Sequence, residues 1–345
     1  MSRAAVLALF PGVLAALVEP GLFLLGDAGR RRLIVVAGGI AFALAIAFTA
    51  LASGFLWLLL AMTVMYPASG AFVALSQASL MDLDAERHEV NMARWTLAGS
   101  VGAVLGPLAL TAAIAWSLGW RGVFAVCAAA MLPLVLGARW AGHGAPAHES
   151  FAGAVRGALA ALRRREVWRW LLALEATDLM GDVLAGFLAL YFVDVAGVSL
   201  LVAGGALVVW TVAGLAGDAL LLLILRRVPG LRWLRLSGWL VLAAYPALLV
   251  LPNPILKLAL LAAIGVLRAG WYSIPQARLY SALPGSAGTA AALTSVAGGA
   301  GYLAPLAIGI LAERFGLQPA MWALLLAPAA LLLLAKSHQS PVENK

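Results

Sequence analysis

Three carboxylates stand in one apolar run: Glu175, Asp178 and Asp182 in LEATDLMGDVLAGFLALYF. On a regular helix, advancing about 100° per residue, their side chains share roughly a 60° arc of one face. The run is long enough to cross a bilayer, where a carboxylate costs about 3 kcal/mol or more unless it meets water or a partner. Carboxylates held at that depth can bind and release protons. Arg268, inside a second apolar run in GVLRAGWYS, is a cation that needs a partner of its own.

The pattern Glu175-x-x-Asp178-x-x-x-Asp182 also has the spacing of the acidic motif with which intramembrane prenyltransferases hold Mg²⁺ and diphosphate. That chemistry uses two such motifs facing each other, because one carboxylate set holds a diphosphate-bound metal poorly. Asp82-Leu83-Asp84 lies in a loop with a different spacing, and Asp218 stands alone. An Mg-dependent enzyme is therefore the weakest reading, and neither metal nor cofactor is expected. Cys127 is the single cysteine, and His88, His143, His148 and His338 all lie in polar segments, so a cysteine-built or intramembrane histidine metal site is not expected either.

The elements that must position these groups follow from composition. Of 345 residues, 64% are hydrophobic and 11% are charged, with a mean hydropathy of +1.00. Charged residues ordinarily supply about a quarter of a soluble chain, so this is an all-α protein of many membrane spans. A β-barrel is excluded because the apolar runs are continuous rather than alternating. Apolar runs of about 20 residues predict eleven spans: 4–25, 33–52, 55–79, 95–117, 121–139, 167–194, 199–225, 234–251, 255–280, 287–312 and 318–335.

The net charge of +8 points to membrane orientation rather than to nucleic acid, because the cations cluster in short gaps between apolar runs. Alternate loops and the tail hold 18 of the 23 Lys and Arg residues, and the opposite loops hold only Arg3, Arg121, Lys257 and Arg314. The rich side is cytoplasmic by the positive-inside rule, which puts the C-terminus inside and the N-terminus outside. Residues 141–165 separate five spans from six and read as a cytoplasmic linker. Its 151–162 part is either an amphipathic helix on anionic lipid or a solvated connection.

The two halves repeat. AGSVGAVLGPLA at 98–109 matches AGGAGYLAPLA at 297–307, pairing Pro107 with Pro305; Gly119 pairs with Gly316, and Gly26-Asp27 with Gly217-Asp218, at offsets of 191–199 residues. The same offset puts the counterpart of span 167–194 before residue 1. The sequence therefore predicts a first half without its acidic helix, through a truncated start, a mis-chosen initiator or a natural eleven-span fold.

On these features the chain resembles the major facilitator superfamily. LLGDAGRRR at 24–32 is similar to the motif between that family's second and third helices, with Ala28 where its first arginine is expected. GSVGAVLGPL at 99–108 resembles the Gly-Pro motif of the fifth helix, and GWRGVF at 119–124 the start of the sixth. The resemblance implies two pseudo-symmetric helical bundles, at 1–140 and 166–336, a linker at 141–165 and a tail at 337–345. It implies a secondary transporter moving a small organic solute by alternating access, with a lean to proton-coupled export because the Gly-Pro stretch resembles the antiporter motif of the family's drug-efflux members. A non-transporting scaffold or remnant is the alternative. A multi-pass monomer in a bacterial inner membrane is expected, with lipid, protons and a small solute as partners and no nucleic acid.

Site residues follow on the same terms. Glu175, Asp178, Asp182 and Arg268 are the expected proton-coupling set, facing one another across the cavity that the first and fourth helices of each half line in the family. Asp27, Arg30, Arg31 and Asp218 are the expected gate, or else topology-setting cations with a capping acid. Tyr66, Gln77, Trp271, Tyr272 and Gln276 are candidate substrate contacts, each with plain packing as the alternative. Glu19, before Pro20, is either a proton or substrate group or a satisfied buried acid. Gly99, Gly102, Gly106 and Pro107, with Gly301 and Pro305 in the second half, are expected to let neighbouring helices approach closely.

Overall fold

Long Leu-, Ala- and Val-rich runs with few breakers fold as helices, since within a bilayer a helix satisfies every backbone group internally. The computed structural model describes residues 3–140, 150–301 and 303–335. Residues 141–149 of the expected linker and the expected tail at 337–345 lie outside the described residues, and so do His143, His148 and His338. The helices of the first half are α1 (Arg3–Leu25), α2 (Arg31–Leu51), α3 (Phe55–Leu83), α4 (His88–Ala115), α5 (Gly119–Ala138) and the short α6 (Phe151–Ala161). Those of the second are α7 (Arg165–Asp178), α8 (Leu184–Asp194), α9 (Leu200–Ile224), α10 (Gly230–Val250), α11 (Pro254–Leu267), α12 (Ser273–Ala282), α13 (Ala287–Gly301), α14 (Leu303–Phe315), α15 (Leu317–Trp322) and α16 (Leu326–Leu334).

Among the described residues nine segments are long and apolar enough to cross a membrane. One of them, Leu9–Leu51, contains both α1 and α2, which are separated by a turn at Gly26–Arg30 where Gly29 has φ +88°. Local chemistry sets several helix starts. Ser150 and Ser199 accept the third amide of α6 and α9, and Asn253 accepts the first free amides of α11 ahead of Pro254.

Two expected spans are not regular helices. The span expected over 255–280 divides into α11 and α12 because Gly270 takes φ +88°, a left-handed conformation that ends the helix. A Cβ at Gly270 would also lie 2.8 Å from Ile274 Cδ1. The span expected over 167–194 carries a wide π-type turn at Leu179–Val183, between α7 and α8. The 100° advance gives way there to a wider turn between the two aspartates, so the arc of Glu175, Asp178 and Asp182 is not that of a regular helix.

The chain forms two compact units. The first contains Met1–Asn91, Gly102–Val167 and Leu279–Gly299. Within it α2 lies between α3 and α5, with Ala43, Ile46, Met131 and Val135 buried at the α2–α5 contact. Gly38 admits α3, since a Cβ there would lie 2.8 Å from that of Ala71. The face of α6 formed by Ala154, Ala158 and Ala161 is buried, and Phe23, Leu75 and Ala291 belong to the same core.

The second unit contains Met92–Val101, Trp168–Arg278 and Ala300–Lys345. Here α9 and α11 cross closely: a Cβ at Gly217 would lie 2.7 Å from the Val266 carbonyl oxygen. Lys257, expected in a solvent loop, is buried. Its ammonium donates to the Leu248 carbonyl (2.6 Å) near the end of α10 and to the Tyr191 hydroxyl (2.7 Å).

Candidate functional site

The two irregularities in the second unit meet at one cavity of about 270 Å³. The π-turn contributes Asp178 and Asp182, the α11–α12 break contributes Arg268, Trp271 and Tyr272, and α9 contributes Asp218. Backbone departures from regular helix are tolerated at membrane depth where they line a cavity or are buried in protein. Thr96 and Ser100 of α4 and Thr177 of α7 add hydroxyls to the wall.

Within this wall the charges are kept apart. The Arg268 guanidinium lies over the Trp210 ring, 4.4 Å from its centroid. It occupies a slot beside two glycines: a Cβ at Gly214 would crowd one terminal nitrogen at 2.9 Å, whereas one at Gly181 would make ordinary contact with the other at 3.9 Å. Among the described residues Arg268 forms no ion pair within 4.0 Å, and its buried Nε has no hydrogen-bond partner. Asp218 is buried and accepts a 2.5 Å hydrogen bond from the Ser100 hydroxyl. Asp178 and Asp182 have neither an ion pair nor a hydrogen bond among the described residues.

Of the expected proton-coupling set, Asp178, Asp182 and Arg268 share this cavity and Glu175 does not. Glu175 lies instead against Gly301, where a Cβ would come within 2.7 Å of its Oε2. Gly301 therefore makes room for a carboxylate, not for a helix backbone. Trp271 and Tyr272 line the cavity, with the Trp271 indole donating to the Ser237 hydroxyl at 3.0 Å. Gln276 is buried outside the lining.

The expected gate residues divide in the same way. Asp218 belongs to the cavity, whereas Asp27 is fully buried in the first unit. The Asp27 carboxylate pairs with Arg31 (2.6 Å) and accepts from the Gly288 amide (2.9 Å), the Thr289 amide (2.6 Å) and the Thr289 hydroxyl (2.8 Å). It thus caps the first turn of α13 from a distant part of the chain, where free amides and the helix dipole favour an anion. Arg31 continues to Asp82 at 2.5 Å, and Arg30 is exposed.

Further contacts join residues 279–299 to the same unit. The Tyr280 hydroxyl donates to Gln77 Oε1 (3.0 Å), His88 Nδ1 meets the Ser281 hydroxyl (2.8 Å), and Arg164 donates to the Ala282 carbonyl (2.7 Å). The Ser295 hydroxyl donates to Glu19 Oε2 at 3.0 Å, and Gly70 leaves room for the Glu19 carboxylate. Glu19 is half-buried and Tyr66 is exposed.

The glycines at Gly99, Gly102 and Gly106 do not mark a close helix contact: nothing among the described residues lies within 4 Å of the Cβ that each lacks. Pro107 and Pro305 are exposed within α4 and α14. The side chain of that stretch that reaches another element is Ser100, which donates to Asp218. Sequence reading passed over Ser100, Trp210, Gly181 and Gly214. The one available signal was Trp210 and Gly214 at i, i+4, one helical turn apart on a face that also carries Asp218.

The family model described as Major Facilitator Superfamily matches residues 3–304. The chain belongs to that superfamily. No curated protein sequence matches the chain. The fold is similar to that of a single-residue variant of the E. coli fucose:proton symporter FucP, with a TM-score of 0.77 at 13% identity over 95% of this chain and 90% of that one. FucP in the outward conformation gives 0.80 at 14% identity, covering 97% and 90%. The human organic anion transporter MFSD10 (TETRAN) gives 0.68 at 19%, covering 97% and 88%. The protein is therefore an integral, multi-pass membrane protein with the superfamily's all-helical fold.

Proposed function

We propose that this chain is a secondary active transporter that couples proton movement to export of a small organic solute. The supporting observation is the cavity in which Asp178 and Asp182 lie beside an unpaired Arg268. A transporter needs groups whose partners change during the cycle, and these carboxylates have no hydrogen-bond or ion-pair partner among the described residues to hold them in one state. Protons and solute compete for Asp178 and Asp182, so release of one favours binding of the other. Arg268, parked on Trp210, supplies a counter-charge whenever the aspartates are ionised. Glu175, off the cavity, is a secondary proton group.

Alternating access then needs two bundles, assigned to 1–140 and 166–336, that move against each other. Asp27, with Arg31, is the gate element, because the capped start of α13 must detach for that face to open. In this reading Arg30 acts with the other cations in orienting the chain, the gate faces the cytoplasm, and the protein works as a monomer in a bacterial inner membrane.

Everted vesicles with an imposed pH gradient, reported by a pH-sensitive dye and challenged with a panel of small amines and zwitterions, test the reading. The wild-type protein is expected to release protons on addition of a transported compound. Asp178→Asn and Asp182→Asn are expected to abolish that release while still inserting normally. Undiminished proton release in both variants would sink the assignment.

A further inference from the structure

We propose that the cavity takes a small zwitterion, a molecule carrying a carboxylate or similar oxyanion together with a protonated amine. The inference rests on the reading of this cavity as the transport site and adds the class of its solute. Its basis is that opposite charges line one cavity without pairing. Arg268 is held by its stack on Trp210 and by the slot at Gly181 and Gly214, away from any carboxylate by more than 4.0 Å. Its Nε is buried without a hydrogen-bond partner. Asp178 and Asp182 accept nothing from the described residues, while Asp218 is already engaged by Ser100.

Arg268 and Asp178 are partly buried, with Asp182 exposed beside them, and a partly buried charge without a partner is costly, so each end of this arrangement favours a ligand that completes it. A simple amine would satisfy Asp178 or Asp182 and leave Arg268 bare. A simple anion would satisfy Arg268 but would face the aspartates. A zwitterion meets both ends, its anionic group taking the free N–H groups of Arg268 and its ammonium taking the aspartates. Trp271 and Tyr272 add aromatic wall for the chain between the two charges. The cavity, at about 270 Å³, is at the small end of ligand sites, which run from roughly 300 to 1,000 Å³. An ammonium that displaces a proton from an aspartate also accounts for exchange of solute against protons.

The test is binding to the full chain in lipid nanodiscs, using one carbon skeleton in three charge forms. Butylamine, butyrate and 4-aminobutyrate are compared, and the ω-amino acids from glycine to 6-aminohexanoate serve as a ruler for the distance between charges. At least one ω-amino acid is expected to bind about tenfold or more tightly than both singly charged compounds, because losing either end leaves a buried charge unpaired. Arg268→Gln and Asp178→Asn are each expected to remove that advantage, and Arg268→Gln alone to weaken butyrate.

Three results would overturn the proposal: butylamine or butyrate binding as tightly as the best zwitterion, no ω-amino acid binding, or zwitterion binding unchanged in Arg268→Gln. Flux of the same compounds in everted vesicles keeps the two readings apart. Proton exchange with butylamine but with no zwitterion overturns the solute class and leaves transport standing. Tight zwitterion binding without any flux supports the class and overturns transport.

Discussion

Asp27 and the Asp178–Asp182 pair are acids of one kind in opposite circumstances. Asp27 is fully buried and spends its carboxylate on Arg31, two backbone amides and a hydroxyl. Asp178 and Asp182 line a cavity and have no protein partner among the described residues. A saturated carboxylate holds elements in one arrangement, and its loss is felt as stability. An unsatisfied one contributes little to stability and is free to take up what arrives. Substitutions can break or sharpen this contrast, and the expected effects on stability fall in order from the first region to the second.

Asp27→Ala should cost most, about 3–5 kcal/mol, since it leaves the first amides of α13 without their acceptor and buried Arg31 with Asp82 alone. Thermal unfolding in detergent reads the loss, and hydrogen exchange should accelerate at Gly288 and Thr289. A variant as stable as the wild type would erase the contrast. Gly288→Ala follows at about 1–3 kcal/mol. Its Cβ would lie 2.5 Å from both Asp27 Oδ1 and the Phe23 carbonyl oxygen, and a backbone atom cannot easily give way.

Tyr280→Phe removes one hydrogen bond to buried Gln77 and should cost about 1 kcal/mol. A double-mutant cycle with Gln77→Leu isolates that bond; zero coupling would mean that the pair merely coexists. Asp178→Asn and Asp182→Asn come last, within about 0.5 kcal/mol of the wild type, because neither carboxylate has a hydrogen bond or ion pair to lose among the described residues. These two should nevertheless remove proton-coupled flux. Instability matching that of Asp27→Ala would show that they, too, are structural.

Much of this was legible without coordinates. The expected spans are largely helical among the described residues, because apolar runs of sufficient length leave the backbone no other way to satisfy its hydrogen bonds in lipid; the span over 255–280 is the one divided by a break, at 268–272. Asp178, Asp182 and Arg268 drew attention for a related reason: an ionisable group inside such a run must be explained. The motif at 24–32 and the repeat placed the chain in its superfamily. Less was legible where a residue's role depends on contacts across the chain. Gly99, Gly102 and Gly106 have the spacing of a packing face, yet no neighbour among the described residues lies against them; only the adjacent Ser100 acts on another element.

By itself the sequence determined the class of protein, the positions of its helices and the existence of acids and a cation at membrane depth. These are consequences of composition and local periodicity, which are written along the chain. Tertiary structure decided which acid is which. It brought Asp27 to amides 261 and 262 positions away and left Asp178 and Asp182 open to a cavity. It also widened one helix at Leu179–Val183, interrupted another near Gly270, and stacked Arg268 on Trp210 instead of on a carboxylate. None of these outcomes has a period or a spacing, because each is settled by what a distant segment happens to offer in hydrogen bonds, room and charge.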